Sequence, residues 1–245
     1  MSPKIKVNYI ESFGTQDGPG VRMVVFTQGC FLKCLYCQNP DTIPLQGGTD
    51  MSWKEIFDKA MQQKEYFGTR GGITISGGEP LLHAEALLPL FAAVKNEGYN
   101  TALDTNGFIW NHHVEKLLKV TDYVLLDIKH INPHRHKQLT GVQLSPILQF
   151  AERIKTMGKH IWLRYVLVPG WNDSEEDLRN WSRFAHTITG LERVEILPYH
   201  TLGVPKYEEI GQEYFLHNVQ TPNKQLKDFV KNIMTEEGLE NIVVK

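Results

Sequence analysis

The feature that most constrains the fold is a regular alternation between short apolar runs and longer amphipathic segments. The runs are four to eight residues long, rich in β-branched or aromatic residues, and bounded by Gly, Pro or Asn, which is typical of buried strands. Strands that alternate with helices favour an α/β fold with a parallel sheet. The predicted strands are residues 21–27, 73–76, 101–104, 123–127, 161–168 and 194–197.

The amphipathic segments carry sequence signals for the ends of helices. Ser52 and Glu55 have the spacing of a capping box, which predicts that a helix begins there. Ser145 is predicted to cap a second helix, and Gly158 to end it. Pro89 is expected to start or kink a helix in its segment.

Polar or Gly-rich residues follow nearly every predicted strand. In an open doubly wound sheet these residues would lie along a line, whereas in a βα barrel they converge on one mouth. We therefore predict a partial, laterally open (β/α)6 barrel of the TIM-like kind. We expect residues 1–245 to form a single domain, with the N-terminal segment 1–20 and a C-terminal helix over 224–239 packed on it.

Composition and charge argue against several other classes of protein. The 26 basic residues nearly balance the 28 acidic ones, so no global field favours nucleic acid or an anionic membrane. No apolar run is long enough to span a bilayer, and the N-terminal residues lack the apolar core of a signal peptide. We predict a cytoplasmic monomer that binds neither nucleic acid nor membrane.

The three cysteines of the chain lie within eight residues, directly after the first predicted strand. An odd number in one loop excludes a disulfide framework and indicates a reducing compartment. Cys30, Cys34 and Cys37 could hold an iron–sulfur cluster, which normally takes four cysteines, so one iron would stay open to a ligand. A zinc site with a histidine as fourth ligand, or three buried thiols, are the alternatives.

A second metal-like grouping is His130, His134 and His136. Pro133 interrupts this grouping, and loops tolerate such histidines freely. We therefore expect a loop rather than a set of metal ligands.

The spacing Cys-x3-Cys-x2-Cys with an aromatic residue before the last cysteine resembles the cluster motif of the radical S-adenosylmethionine enzymes. The run from Asp17 to Arg22 (Asp-Gly-Pro-Gly-Val-Arg) is similar to the narrower signature of the glycyl-radical activating enzymes. The match continues over nearly the whole chain. Its further segments are Ser76-Gly-Gly-Glu-Pro80, Asp104-Thr-Asn-Gly107, Asp127-Ile-Lys129 and Tyr199-His200.

The resemblance implies a barrel of the radical S-adenosylmethionine type with one [4Fe–4S] cluster on the three cysteines. The reduced cluster would cleave S-adenosylmethionine to methionine and a 5′-deoxyadenosyl radical, which would take a hydrogen from a glycine of a partner protein. The protein would supply position, orientation and exclusion of water. The cofactor-binding residues that the resemblance implies are Tyr36, Cys37, Gln38, Gly77, Gly78, Glu79, Asp104, Asp127, Ile128, Lys129 and His200.

Particular roles also follow from the resemblance. The segment 77–79 would bind the methionine amino group. Its alternative role is that of a plain strand-to-helix turn. Lys129 would pair with the methionine carboxylate, unless it is a surface lysine. A monovalent cation would bind at Asp104, Thr105 and Asp127. The alternative role for the two aspartates is to cap helices.

The resemblance also implies macromolecular partners. Asp17 and Arg164 would engage the partner's glycine-bearing loop, an internal salt bridge being the alternative for Arg164. No second cluster can be built from three cysteines, so flavodoxin or ferredoxin would supply the electron. Length and cysteine count favour pyruvate formate-lyase as partner over another glycyl-radical enzyme. A radical enzyme acting on a small molecule and a non-catalytic iron–sulfur or zinc module remain the other hypotheses.

Overall fold

The structure is a computed structural model that describes residues 3–245. Within that range strands and helices alternate along most of the chain. The strands are β1 (Ile5–Gly14), β2 (Arg22–Thr27), β3 (Thr49–Met51), β4 (Gly72–Gly77), β5 (Asn100–Thr105), β6 (Tyr123–Asp127), β7 (His160–Leu167), β8 (Leu191–Pro198) and β9 (Ile242–Val244). The helices are α1 (Trp53–Met61), α2 (Ala84–Asn96), α3 (His112–Lys119), α4 (Pro133–Thr140), α5 (Ser145–Ile154), α6 (Glu175–His186), α7 (Val204–Glu209) and α8 (Lys224–Glu236).

All six predicted strands are confirmed, as β2 and β4–β8. Three further strands were missed. β1 has only three buried residues, Ile5, Val7 and Gly14, and so gives no continuous apolar run, while β3 and β9 are only three residues long.

The chain divides into two compact units. The first contains the chain through Phe31 and Thr42–Leu125, and its strands lie in the order β3-β1-β2-β4-β5, followed by residues 123–125 of β6. β1 runs antiparallel to both β2 and β3, whereas β2, β4 and β5 are mutually parallel neighbours. The C-terminal ends of these three parallel strands therefore lie at one edge of the unit, where βα folds carry their chemistry.

The second unit contains Leu32–Asp41 and Leu126–Lys245. Its strands run from the end of β6 through β7 and β8 to β9, and the β7–β8 and β8–β9 pairs are parallel. The segment Leu32–Asp41 carries two of the three cysteines and is bound to the end of α4. There, Lys33 N–H donates to Thr140 O at 2.8 Å, and Leu35 N–H donates to Leu139 O at 3.0 Å.

The predicted fold class is confirmed: the protein is mixed α/β, and each unit contains parallel neighbouring strands. The single-domain arrangement stays a prediction. Residues 1 and 2 of the segment 1–20 lie outside the described residues, β1 pairs with β2, and α8 ends at Glu236 rather than at residue 239. No helix within residues 3–245 has the length and apolarity needed to cross a bilayer.

The helix ends confirm some sequence signals and correct others. Ser52 and Glu55 form the predicted capping box at α1. Ser145 is not the cap of α5 but its first residue, because Leu144 takes the cap position without a side-chain hydrogen bond. Gly158, with φ of 63°, ends the short 3-10 turn that follows α5. α2 begins before Pro89 and continues through it.

These assignments predict different effects for two serine substitutions. Ser52→Ala removes the acceptor for the Glu55 N–H at 3.2 Å and should lower the free energy of unfolding by about 1 kcal/mol. Ser145→Ala removes no cap and should cost less than about 0.5 kcal/mol. Chemical denaturation of the two variants measures both values, and equal losses would contradict the assignment of the caps.

Candidate active site

Cys30 lies just beyond the C-terminal end of β2, in the first unit. Its N–H donates to Ile43 O at 3.0 Å, and the N–H of Gly29 donates to Thr42 O at 2.7 Å. The Glu79 N–H donates to Gly29 O at 2.7 Å. Three main-chain hydrogen bonds therefore fix the backbone that presents this thiol.

Positions 77 and 78 have no room for a side chain, because the backbone at the end of β4 lies directly against the end of β2. A Cβ on Gly77, whose φ is 103°, would come within 2.3 Å of Thr27 N. A Cβ on Gly78 would come within 2.2 Å of Gly29 O. Any side chain here would force the two strand ends apart.

Glu79 is a buried carboxylate at the centre of a hydrogen-bond network. Oε1 accepts from Leu81 N–H at 3.0 Å and from Thr105 Oγ1 at 2.5 Å, and Oε2 accepts from Asn106 N–H at 2.9 Å. Burial raises the pKa of Glu79 to about 7, although the hydrogen bonds from these three partners act to lower it. The carboxylate ties the turn after β4 to the end of β5.

The end of β5 contributes the other polar groups of this first set. Asp104 Oδ2 accepts from Ser76 Oγ at 2.6 Å. Asn106 is buried, and its side-chain amide donates to Cys30 Sγ at 3.6 Å. The first unit thus brings together Cys30, the segment 77–79, Asp104 and Thr105 as the sequence predicted.

The second set of candidate residues lies in the second unit, around Lys129. Lys129 Nζ lies 2.7 Å from Asp127 Oδ2 and 5.8 Å from the centre of the Tyr36 ring. Burial alone would lower the pKa of Lys129, but Asp127, Tyr36 and Cys34 together raise it well above its usual value. Lys129 is therefore a charged, largely buried residue and not a surface lysine.

The backbone between Asp127 and Lys129 is fixed from both sides. Ile128 N–H donates to Arg164 O at 3.3 Å, and Ile128 O accepts from Trp181 Nε1 at 2.9 Å. The buried indole of α6 therefore holds the end of β6 in place.

Cys34 and Cys37 are half-buried residues of the same unit. Burial raises the pKa of the Cys34 thiol to about 12, while the nearby charge of Lys129 acts to lower it. Burial also raises the pKa of Cys37, opposed chiefly by a hydrogen bond from the Asn39 N–H. Both groups would have to lose a proton to bind a metal.

Gln38 and His200 are joined by a hydrogen bond. Gln38 Nε2 donates to His200 O at 2.9 Å and to Tyr36 O at 3.2 Å, and Gln38 Oε1 accepts from Gly203 N–H at 2.8 Å. The Tyr36 ring is buried beside them. The predicted cofactor-binding residues of this unit therefore form one connected group.

Of the two residues predicted to bind the partner, Asp17 lies in the loop between β1 and β2 and Arg164 lies on β7. Thr74 Oγ1 donates to the backbone carbonyl of Asp17 at 2.6 Å, and the buried Arg22 donates to the same hydroxyl at 2.6 Å. Arg164, on β7, donates from Nε to Oε2 of the fully buried Glu195 at 3.1 Å. The internal salt bridge that was the alternative for Arg164 is thus present.

His130 lies in a loop as predicted, whereas His134 and His136 lie on α4. Pro133 begins α4, which Asn132 caps, and His136 is buried with Nδ1 at 3.1 Å from Val142 O. Burial lowers the pKa of His136 to about 4. Among residues 3–245, no three His, Cys, Asp or Glu side chains form a group placed to hold one metal ion. The monovalent cation at Asp104, Thr105 and Asp127 stays a prediction.

The donor set fits an iron–sulfur cluster of the predicted kind. The thiols are the only cysteines in the sequence and lie within eight residues of one another, and all three residues are half-buried. Amide N–H groups from Asn106 and Asn39 reach the sulfurs of Cys30 and Cys37, a contact that is common around clusters.

Comparisons with known proteins show the family to which the chain belongs. A family model described as the Radical SAM superfamily matches residues 24–182, more than half of the chain. The pyruvate formate-lyase-activating enzyme of Streptococcus mutans is 43% identical over 242 residues, covering 96% of this chain and 92% of the relative. The pyruvate formate-lyase 1-activating enzyme of Escherichia coli K12 is 39% identical over 236 residues, covering 95% and 96%. The chain therefore belongs to the radical SAM superfamily and, within it, to the family of the pyruvate formate-lyase-activating enzymes.

A solved structure supports the fold independently. Streptococcus suis SuiB bound to precursor peptide SuiA superposes with a TM-score of 0.71 at 19% identity, covering 96% of this chain and 50% of that chain. At this identity the likeness concerns the fold alone. Membership of the superfamily implies a [4Fe–4S] cluster and S-adenosylmethionine as cofactors.

Several site residues could not be named from the sequence. Asn106 was seen as a polar residue after a strand and as part of the matching segment 104–107, but its contact with the Cys30 thiol was not predicted. Lys206 and Tyr207 gave no signal, yet they contact the segment that follows Cys34. A polar residue at every parallel strand end is the one cue that could have identified Asn106.

The raised pKa of Glu79 predicts a pH-dependent contribution to stability. The folded state binds this proton more tightly than the unfolded state, because the pKa rises from 4.5 to about 7. The contribution is present in full below pH 4.5 and is lost as the pH rises through 7, a change of up to about 3 kcal/mol. In Glu79→Gln this dependence should be absent.

Denaturant unfolding at several pH values measures the difference between wild type and Glu79→Gln. Glu85→Gln, at an exposed position of α2, is the control for loss of a surface acid. A difference between wild type and Glu79→Gln that stays constant across the pH range would contradict the burial argument.

Proposed function

We propose that this chain activates pyruvate formate-lyase under anaerobic conditions by generating a glycyl radical on it. The observation that carries the proposal is similarity over nearly the full length: relatives with that name are 39% and 43% identical over 95% and 96% of this chain. The cysteine loop lies inside the matched superfamily region, residues 24–182.

Cys30, Cys34 and Cys37 would hold the [4Fe–4S] cluster and leave one iron without a ligand from the protein. When bound, the cluster supplies the electron that cleaves S-adenosylmethionine to methionine and a 5′-deoxyadenosyl radical, which takes a hydrogen atom from the partner's glycine. The chain binds, orients and shields these reactants. Hydrogen-atom abstraction needs no acid or base from the protein.

The remaining site residues would orient S-adenosylmethionine. The backbone of Gly77 and Gly78 would bind the methionine amino group, and the buried Glu79 carboxylate follows them in the chain. Lys129 would pair with the methionine carboxylate, since it is charged and held by Asp127 at 2.7 Å. Tyr36, Gln38, Ile128 and His200 would line the adenosine.

The partner's glycine-bearing loop would contact Asp17 and Arg164. We also propose a monovalent cation at Asp104, Thr105 and Asp127, where hydroxyl and carboxylate oxygens suit a hard ion. An external flavodoxin or ferredoxin would deliver the electron, and the enzyme would act as a monomer.

The decisive experiment combines the anaerobically reconstituted protein, a reductant, S-adenosylmethionine and pyruvate formate-lyase. We expect a glycyl-radical signal in electron paramagnetic resonance together with 5′-deoxyadenosine and methionine. Cys34→Ala should abolish the cluster absorbance and the cleavage, whereas Ser52→Ala should retain both. Cleavage that occurs without a radical on the added enzyme would indicate a different substrate. Stoichiometric zinc without cleavage would overturn the proposal.

A second prediction concerns Lys129. Lys129→Met removes the charge proposed for the methionine carboxylate and should weaken S-adenosylmethionine binding at least about tenfold. Lys137→Met, at an exposed position of α4, is the matched control and should leave the affinity unchanged. Equilibrium binding to the reconstituted proteins measures both, and equal affinities would remove Lys129 from the cofactor site.

A further inference from the structure

The second half of the cysteine loop has little regular structure of its own. Residues 35–39 lie outside helices and strands, and only the short 3-10 turn Pro40–Thr42 follows them. A ligand on such a segment must be positioned by side chains that reach it from elsewhere. These contacts come from the residues between β8 and the end of α7, numbers 199–209, which we call the strap.

Gln38 joins the cysteine loop to the strap through both ends of its amide group. Its nitrogen donates to His200 O at 2.9 Å, and its oxygen accepts from Gly203 N–H at 2.8 Å. A Cβ on Gly203 would lie 2.9 Å from the Gln38 Cα, so the two backbones are in close contact. Gln38 is thus held in one orientation with its donor and acceptor both used.

Two strap residues contact the loop on either side of Gln38. Tyr207 Oη donates to the Cys37 carbonyl at 3.1 Å. Lys206 Nζ donates to Asn39 Oδ1 at 2.8 Å and lies 3.2 Å from Asp41 Oδ1. Cys37, Gln38, Asn39 and Asp41 are therefore each bound by the strap.

The strap is itself anchored in an apolar cluster. Tyr207 is buried with Tyr199, Tyr214 and Leu216, and the rings of Tyr207 and Tyr214 are 5.0 Å apart. Tyr199 and Tyr214 share a hydroxyl hydrogen bond of 2.5 Å that does not touch the cysteine loop. The cluster therefore offers one tyrosine whose hydroxyl binds the loop backbone and a neighbouring one whose hydroxyl binds Tyr199 of the strap.

We propose that Gln38, Lys206 and Tyr207 form a clasp that fixes Cys37 and His200 relative to each other. Gln38 and Tyr207 are then positioning residues for the cluster and for S-adenosylmethionine. The inference rests on the proposed function only in that Cys37 binds the cluster and His200 contacts the cofactor.

The first test compares Tyr207→Phe with Tyr214→Phe in the reconstituted protein. Each variant loses one buried hydroxyl from the same cluster, so both should lower the melting temperature. We expect iron release to a chelator to accelerate about tenfold in Tyr207→Phe and to stay within about twofold in Tyr214→Phe. Equal acceleration would mean that Tyr207 only stabilises the strap, which would overturn the proposal for Tyr207.

The second test uses Gln38→Leu and Gln38→Glu, which keep the size of the side chain. Leucine removes both hydrogen bonds to the strap, and glutamate places a carboxylate oxygen against the carbonyls of His200 and Tyr36. We expect both variants to bind S-adenosylmethionine about tenfold more weakly and to change the paramagnetic resonance spectrum of the reduced, cofactor-bound protein. If Gln38 only filled space, both would resemble wild type in affinity and spectrum.

The two proposals fail in different ways. If the wild-type protein takes up no four-iron cluster, the proposed function fails. If wild type holds the cluster but Tyr207→Phe and both Gln38 variants release iron and bind cofactor as wild type does, the clasp fails and the function stands.

Discussion

The arrangement of the first unit depends on the direct contact between the backbones that end β2 and β4. Thr27 and Gly77 are register partners in this parallel pair, and a Cβ at Gly77 or Gly78 would overlap the neighbouring main chain. Because the backbones lie this close, Glu79 N–H reaches Gly29 O and the Glu79 carboxylate reaches the end of β5. The backbone of Gly29 and Cys30, which follows β2, is thereby held in one conformation.

Buried charge is the second organising constraint, and each instance has nearby partners. The Glu79 carboxylate accepts three hydrogen bonds, Lys129 pairs with Asp127, and Arg164 pairs with Glu195. Breaking a buried pair by removing one partner typically costs several kcal/mol, because the remaining charge is left uncompensated. These groups therefore fix side chains in single orientations, which positioning a cofactor requires.

The strands that the sequence predicted are those buried in parallel sheets, where apolar runs are nearly continuous. β1 was missed because it runs antiparallel beside β2 and only three of its ten residues are buried. Ser145 was misplaced by one residue because Leu144 caps α5 without using a side chain. The spacing of the cysteines and the motifs at the strand ends were the patterns from which the candidate site residues were predicted. The contacts of Asn106, Lys206 and Tyr207 span 76, 167 and 170 residues, so no local pattern could reveal which groups these side chains bind.

The long-range contacts of the cysteine loop all hold its residues in place. Hydrogen-atom abstraction requires no acid or base from the chain, so the protein contributes mainly through the placement of reacting atoms, where small displacements are costly. A loop without secondary structure cannot supply that placement by itself. In the second unit, residues of the strap bind the Cys37 carbonyl, the Gln38 side-chain amide and Asn39 Oδ1, while Leu139 and Thr140 bind the backbone before them. The irregular loop is thereby held through side-chain and backbone contacts from distant parts of the same unit, a rigidity that its own sequence does not confer.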